Sequence, residues 1–241
     1  MSVSLSITES NILTALRSFL LGVLPAGIEV IRGQGNRVPE PPGANYVVMT
    51  PILRDRLSTN IDSSQDAVFT GSISGKTMTI TAVGFGTLAV GSPVLGVGVA
   101  AGTTVTALGT GTGGVGTYTV SQSQTITSQT LAAGTTNSLA ATQVTVQLDV
   151  HGPVSADNAQ IITTLLRDDY AVQQFATSGF DVTPLYASDP RQMPFLNGEQ
   201  QYEIMQTIDA VLQANPIVAV SQDFAAGVSV TLKEVDAFYH P

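Results

Sequence analysis

Between Ala67 and Ala133 the chain carries one charged residue, Lys76, and is written mostly in Gly, Thr, Val, Ala and Ser. No stable helix accommodates such a stretch, because dense glycine and β-branched residues both lower helix propensity. Met78-Thr79-Ile80-Thr81, Thr103-Thr104-Val105-Thr106 and Thr117-Tyr118-Thr119-Val120 are short β-forming runs, and glycine clusters separate them. The pattern predicts short strands joined by tight turns, hence a small all-β domain over residues 67–133.

The flanks differ sharply in character. Before the stretch, Tyr46 to Leu53 reads as a strand that continues through Arg54-Asp55-Arg56. After it, Thr142 to Val150 alternates apolar and polar residues with period two, as a half-buried strand does. Two strands that meet at a hairpin turn accept a domain at that turn with little entropic penalty, since loop closure grows slowly with length. The expectation is therefore a discontinuous α+β domain, residues 1–66 and 134–241, with residues 67–133 inserted.

Taken in order, Ser6 followed by Glu9 forms a capping-box pattern, and Ile12, Leu13, Leu16, Phe19, Leu20 and Val23 follow at helical spacing. A helix over about residues 7–24 is predicted, then a short strand at Ile28–Arg32 and an exposed Gly/Pro-rich loop at Gly33–Gly43. Ser155 is placed as the N-cap of a second helix, with Asp157 in its first turn and Gly179 beyond its end near Thr177. Val182–Tyr186 reads as a strand and Asp189–Pro194 as an irregular loop. Gln201–Gln213 fits helix and strand almost equally; strand is chosen, because the alternating residues from Gly227 to Phe238 form a strand that needs a neighbour. Two helices packed on one face of a mostly antiparallel sheet is the resulting architecture.

Several chemistries are set aside on residue content. The net charge of −9, with 11% of residues charged, argues against grasping nucleic acid, which takes clustered Lys and Arg. It is compatible with a channel through which DNA slides. Cysteine is absent, which removes disulfides, thiolate metal sites and a Cys nucleophile. No apolar stretch reaches bilayer length and the start lacks the basic segment of a signal peptide, so a soluble chain made in the cytoplasm is expected. Gly109-Thr110-Gly111-Thr112-Gly113-Gly114 has the spacing of a dinucleotide fingerprint, but a strand follows it instead of a helix. His151, near Asp149 and Asp157, reads as a turn histidine beside a helix cap rather than an acid/base or metal cluster. Asp168-Asp169 reads as a solvated helix face. No catalytic, cofactor or metal residues are assigned.

Outside residues 67–133 the element order carries a resemblance. The N-terminal helix with its short strand and Pro-rich loop, the strand end Leu148-Asp149-Val150-His151-Gly152 before Ser155-Ala156-Asp157, and the ending Leu212-Gln213-Ala214-Asn215-Pro216 resemble the neck or tail terminator proteins of tailed bacteriophages. The segments Phe69–Gly75 and Gly109–Val120 are similar to a Gly/Thr-rich module recurring in phage virion proteins. The resemblance implies a non-enzymatic virion protein, assembled in the host cytoplasm. It would form a ring, usually a hexamer, that caps the head-proximal end of the tail tube and meets the head connector while DNA passes through the lumen. The inserted domain would point outward. Arg32, Arg37, Arg54, Asp55, Arg56, Asp189 and Arg191 are the candidate subunit or axial contacts. The rival reading is a decoration module in which the β insert binds a host surface or glycan, although Phe69, Phe85 and Tyr118 are few aromatics for a sugar site.

Overall fold

A computed structural model of the chain describes residues 3–34, 41–196 and 202–221. In chain order the elements are β1 (Val3–Leu5), α1 (Glu9–Val23), β2 (Glu29–Arg32), β3 (Tyr46–Arg56), β4 (Ile61–Phe85), β5 (Val105–Leu108), β6 (Gly116–Leu139), β7 (Thr142–His151), α2 (Ser155–Leu166), α3 (Asp169–Ala176), β8 (Val182–Ala187), β9 (Arg191–Leu196), β10 (Tyr202–Ala214) and β11 (Ile217–Ser221). They form two sheets, one ordered β1-β11-β6-β4 with β5 on β6, the other β2-β3-β7-β10-β8 with β9 on β10. The chain divides into two compact units. One comprises residues 63–137 with residues 3 and 219–221; the other comprises 4–62 and 138–218.

The second unit is α+β. Val144, Val146, Leu148 and Val150 of β7 face the same side as Ile208, Ala210, Leu212 and Ala214 of β10, because the register pairs Leu148 with Ile208 and Val146 with Ala210. The helices supply Leu16, Phe19, Leu20, Ile162, Leu166 and Phe175 to the same core. Phe19 and Phe175 meet with ring centroids 5.7 Å apart, tying α1 to α3. The alternate positions of β7, and all but Val211 of those facing them on β10 from Thr207 to Gln213, are polar. There Thr207 Oγ1 donates to Asp149 at 2.8 Å, and Gln147 Nε2 donates to the same carboxylate at 2.9 Å. β3 and β7 pair antiparallel from Tyr46 opposite His151 to Arg56 opposite Thr142, and Leu57 N–H donates to Ala141 O at 2.9 Å just beyond. The chain between these two ends therefore starts and finishes at a closed hairpin.

Several elements depart from the sequence reading. The N-cap of α1 is Thr8, not Ser6: Asn11 N–H donates to Thr8 Oγ1, and Thr8 N–H donates to Asn11 Oδ1 at 2.8 Å. Ser6 Oγ instead accepts from Ile217 N–H at 2.8 Å. The helix predicted from Ser155 to Thr177 is two, so three helices rather than two cover the sheet. Asp168 accepts from Tyr170 N–H at 2.9 Å and caps α3, so it stands between two helices rather than late on one, although it and Asp169 are solvent-exposed as read. Ser155 is the first helical residue and Val154 the N-cap, one position earlier than expected. The irregular loop expected over 189–194 is largely strand β9, paired with β10 from Arg191 opposite Thr207 to Leu196 opposite Tyr202. β10 is a strand, as chosen, but its neighbours are β7, β8 and β9. The predicted strand at 227–238 and most of the loop at 33–43 lie outside the described residues.

The first unit is all β. β4 reverses on itself, since Thr81 Oγ1 donates to Thr70 O at 3.2 Å, whereas eleven residues of straight strand would span about 36 Å. Gly75, at φ +64, supplies the turn beside Lys76. Phe69, Ile73, Met78, Ile80, Tyr118 and Leu131 form a core of their own.

Candidate assembly surface

The sheet of the second unit has two open edges, and they are unlike. On one side β2 pairs only with Tyr46 to Met49 of β3, in parallel. From Thr50 to Arg56 the outer side of β3 has no strand partner among the described residues. Pro51 contributes no N–H there, the register slips between Pro51 and Leu53, and Arg54, Asp55 and Arg56 follow. Proline, a bulge and charge are the devices by which an edge resists indiscriminate pairing. Ile52 and Leu53 nevertheless stand 49% and 52% exposed. On the other side, β8 and β9 follow one another along β10, with Pro184 and Pro194 within them and Leu185 and Tyr186 exposed.

The residues singled out from the sequence do not converge. Arg32 forms an ion pair with Glu9. Arg191 reaches Asp209 at 2.8 Å and Asp189 reaches Arg167 at 2.8 Å, both at the β8–β9 edge. Arg54 and Asp55 make no ion pair among the described residues, and Arg56, at the end of β3, donates to Asn60 in the loop that follows. Arg37 lies outside the described residues. The residue that sequence reasoning missed is Arg167. Its guanidinium bonds Asp189, donates to Ala187 O at 2.9 Å through Nε, and lies 4.9 Å from the Tyr186 ring centroid. The hydrogen bond to Asp189 raises its already high pKa. The signal available in the sequence was the run Arg167-Asp168-Asp169, a lone cation beside two acids.

A groove of about 470 Å³ lies beside the β9–β10 ribbon, walled by Pro41, Tyr46, Pro153, Tyr202 and Ile204. His151, the last residue of β7, is buried and stacks on Tyr46 with centroids 4.3 Å apart. It is a packed strand residue rather than a turn residue. Among the described residues no group of three His, Cys, Asp or Glu side chains is placed to hold a metal. Nor do the glycines at 109–114 form a phosphate cradle, for they wrap a tyrosine. Gly113 N–H donates to Tyr118 Oη at 3.0 Å, Tyr118 Oη donates to Gly114 O at 2.6 Å, and Gly111 lies against the ring with no room for a side chain.

A sequence model of the phage neck terminator proteins matches residues 102–236, more than half of the chain. The chain belongs to the phage neck terminator family. Membership brings a structural role in the phage neck and a place in the virion, among other tail and neck proteins. The match begins inside the all-β unit and runs through β7, α2, α3 and β10, so the neck terminator signature draws on both units. No curated protein matches the chain significantly. Among the described residues of this neck terminator, no helix is long and apolar enough to cross a membrane.

Proposed function

We propose that this neck terminator closes into a ring, a hexamer, at the head-proximal end of the tail, where it ends polymerisation of the tail tube and joins the tail to the head connector. The observation that supports this reading is the pair of unlike open edges on one sheet. A closed ring is built from heterologous contacts, in which one surface of each subunit meets a different surface of the next. A sheet with Arg54 and Arg56 on one edge and the Arg167–Asp189 and Arg191–Asp209 pairs at the other provides two such surfaces. The excess of acidic residues, giving a net charge of −9, suits a lumen through which DNA moves without adhering. We read the all-β unit as an elaboration carried on the β3–β7 hairpin, whose pairing is complete up to Leu57 and Ala141. A glycan-binding role for that unit draws little support from its aromatics: Phe69 and Tyr118 are core residues, and only Phe85 of the three is exposed.

Tail length is the test. Phage lacking the protein should build tubes of uncontrolled length without heads attached, and phage in which an Asn-Gly turn replaces residues 61–138 should build tails of normal length. Normal, head-joined tails in the absence of the protein would sink the terminator reading. Uncontrolled tubes from the shortened chain would instead make the all-β unit part of the terminator itself.

A further inference from the structure

We infer that the ring contact is made by Arg54 and Arg56 of one copy against the acidic corner at the end of β8 in the next copy. The inference rests on the proposed ring and specifies which surfaces form it. Among the described cations of the second unit, Arg32, Arg167 and Arg191 are engaged by carboxylates of their own chain, and Arg17 donates to Val30 O at 2.9 Å. Arg54 and Arg56 have no carboxylate partner among the described residues, and Arg56 donates to the Asn60 side chain instead.

Strand alternation places these two arginines on one face of β3 and Asp55 on the other. Both lie on the open edge, and exposed Leu53 and Leu57 flank them in sequence on the face of Asp55. At the opposite edge, the Arg167 guanidinium is paired with Asp189, while Asp168 and Asp169 follow it in sequence as exposed residues, and Leu185 and Tyr186 are exposed on β8. Asp169 accepts from Gln173 and Asp168 from Tyr170 N–H, and neither has a cation partner among the described residues. The occupant that fits each edge is the other edge of a second copy: two cations without a carboxylate of their own meet carboxylates that outnumber the arginines beside them. Prolines at Pro51 and Pro184 interrupt the donors of both edges, so side chains carry this contact more than a continuous main-chain ladder. Complementary charge of this kind fixes register and suppresses wrong pairings.

Charge exchange tests it on the full chain, alone and with tail tubes, by native mass spectrometry and negative-stain imaging, with circular dichroism to confirm folding. Arg54→Glu with Arg56→Glu should abolish rings, as should Asp169→Lys with Asp189→Lys. The chain carrying all four substitutions should recover them, because the edges are complementary again. Rings that persist in either double variant, or that fail to return in the fourfold one, would overturn this contact while leaving the ring standing. A wild-type chain that forms no ring even on tubes would overturn the ring and the contact together.

Discussion

Replacing Gly152 by alanine is expected to destabilise the second unit by about 3 kcal/mol or more, from the strain of a left-handed backbone added to a steric overlap. Gly152 has φ +100, and a β-carbon there would press on the Ala44 carbonyl and the Asn45 side chain. The position also joins three parts of the unit: Gly152 N–H donates to Ile204 O at 3.0 Å and its own carbonyl accepts from Ser155 N–H at 3.0 Å. The crowded backbone cannot retreat without loosening the β7–β10 pairing or the start of α2. Gly179 is the internal control. It has φ +75 but open space around it, so alanine there should cost only the conformational part, about 1 kcal/mol. Urea denaturation of the two variants measures the difference, and equal midpoints would show that the turn at Gly152 is not crowded as described.

Tyr118→Ala should cost the all-β unit about 4 kcal/mol, the range for deleting a buried aromatic side chain. The loss has two parts. Tyr118 is 1% exposed in the middle of the unit's core, and its hydroxyl is the partner of both Gly113 N–H and Gly114 O. Tyr118→Phe keeps the ring and orphans the two turn groups, so about 1 to 3 kcal/mol is expected from it. Hydrogen exchange at the amides of β5 and β6 separates the two effects. If both variants exchange like the wild type, the glycine turn does not depend on the tyrosine it encloses.

The central strand β7 of the second unit was legible because period-two alternation is a local property. Val144, Val146, Leu148 and Val150 announce β7 without reference to any other element. The break between α2 and α3 was not legible, since Ile161 to Phe175 keeps helical spacing throughout. What breaks it is a competition: the Asp168 side chain takes the Tyr170 N–H and favours a cap over helix interior. β9 was hidden by Pro190 and Pro194, which argue for a loop unless the strand is known to be an edge, where a missing donor carries little penalty. The capping box was misplaced by two residues because Ser6 and Thr8 are both competent caps, and the choice is made by Ile217, far away in sequence. The candidate surface suffered from the same limit. Composition and charge marked Arg32, Asp189 and Arg191, but their partners Glu9, Arg167 and Asp209 lie 18 to 23 residues distant, and only the fold shows that these charges are already spent. The family, by contrast, was readable from element order.

The most direct measurement of the central claim is native mass spectrometry of the purified 25.0 kDa chain, alone and mixed with tail tubes, with negative-stain images of the same samples. Closed rings of six copies with an open centre are expected, free in solution or seated on the tube end. Monomers that remain monomers in the presence of tubes, or open chains that never close, would contradict that claim.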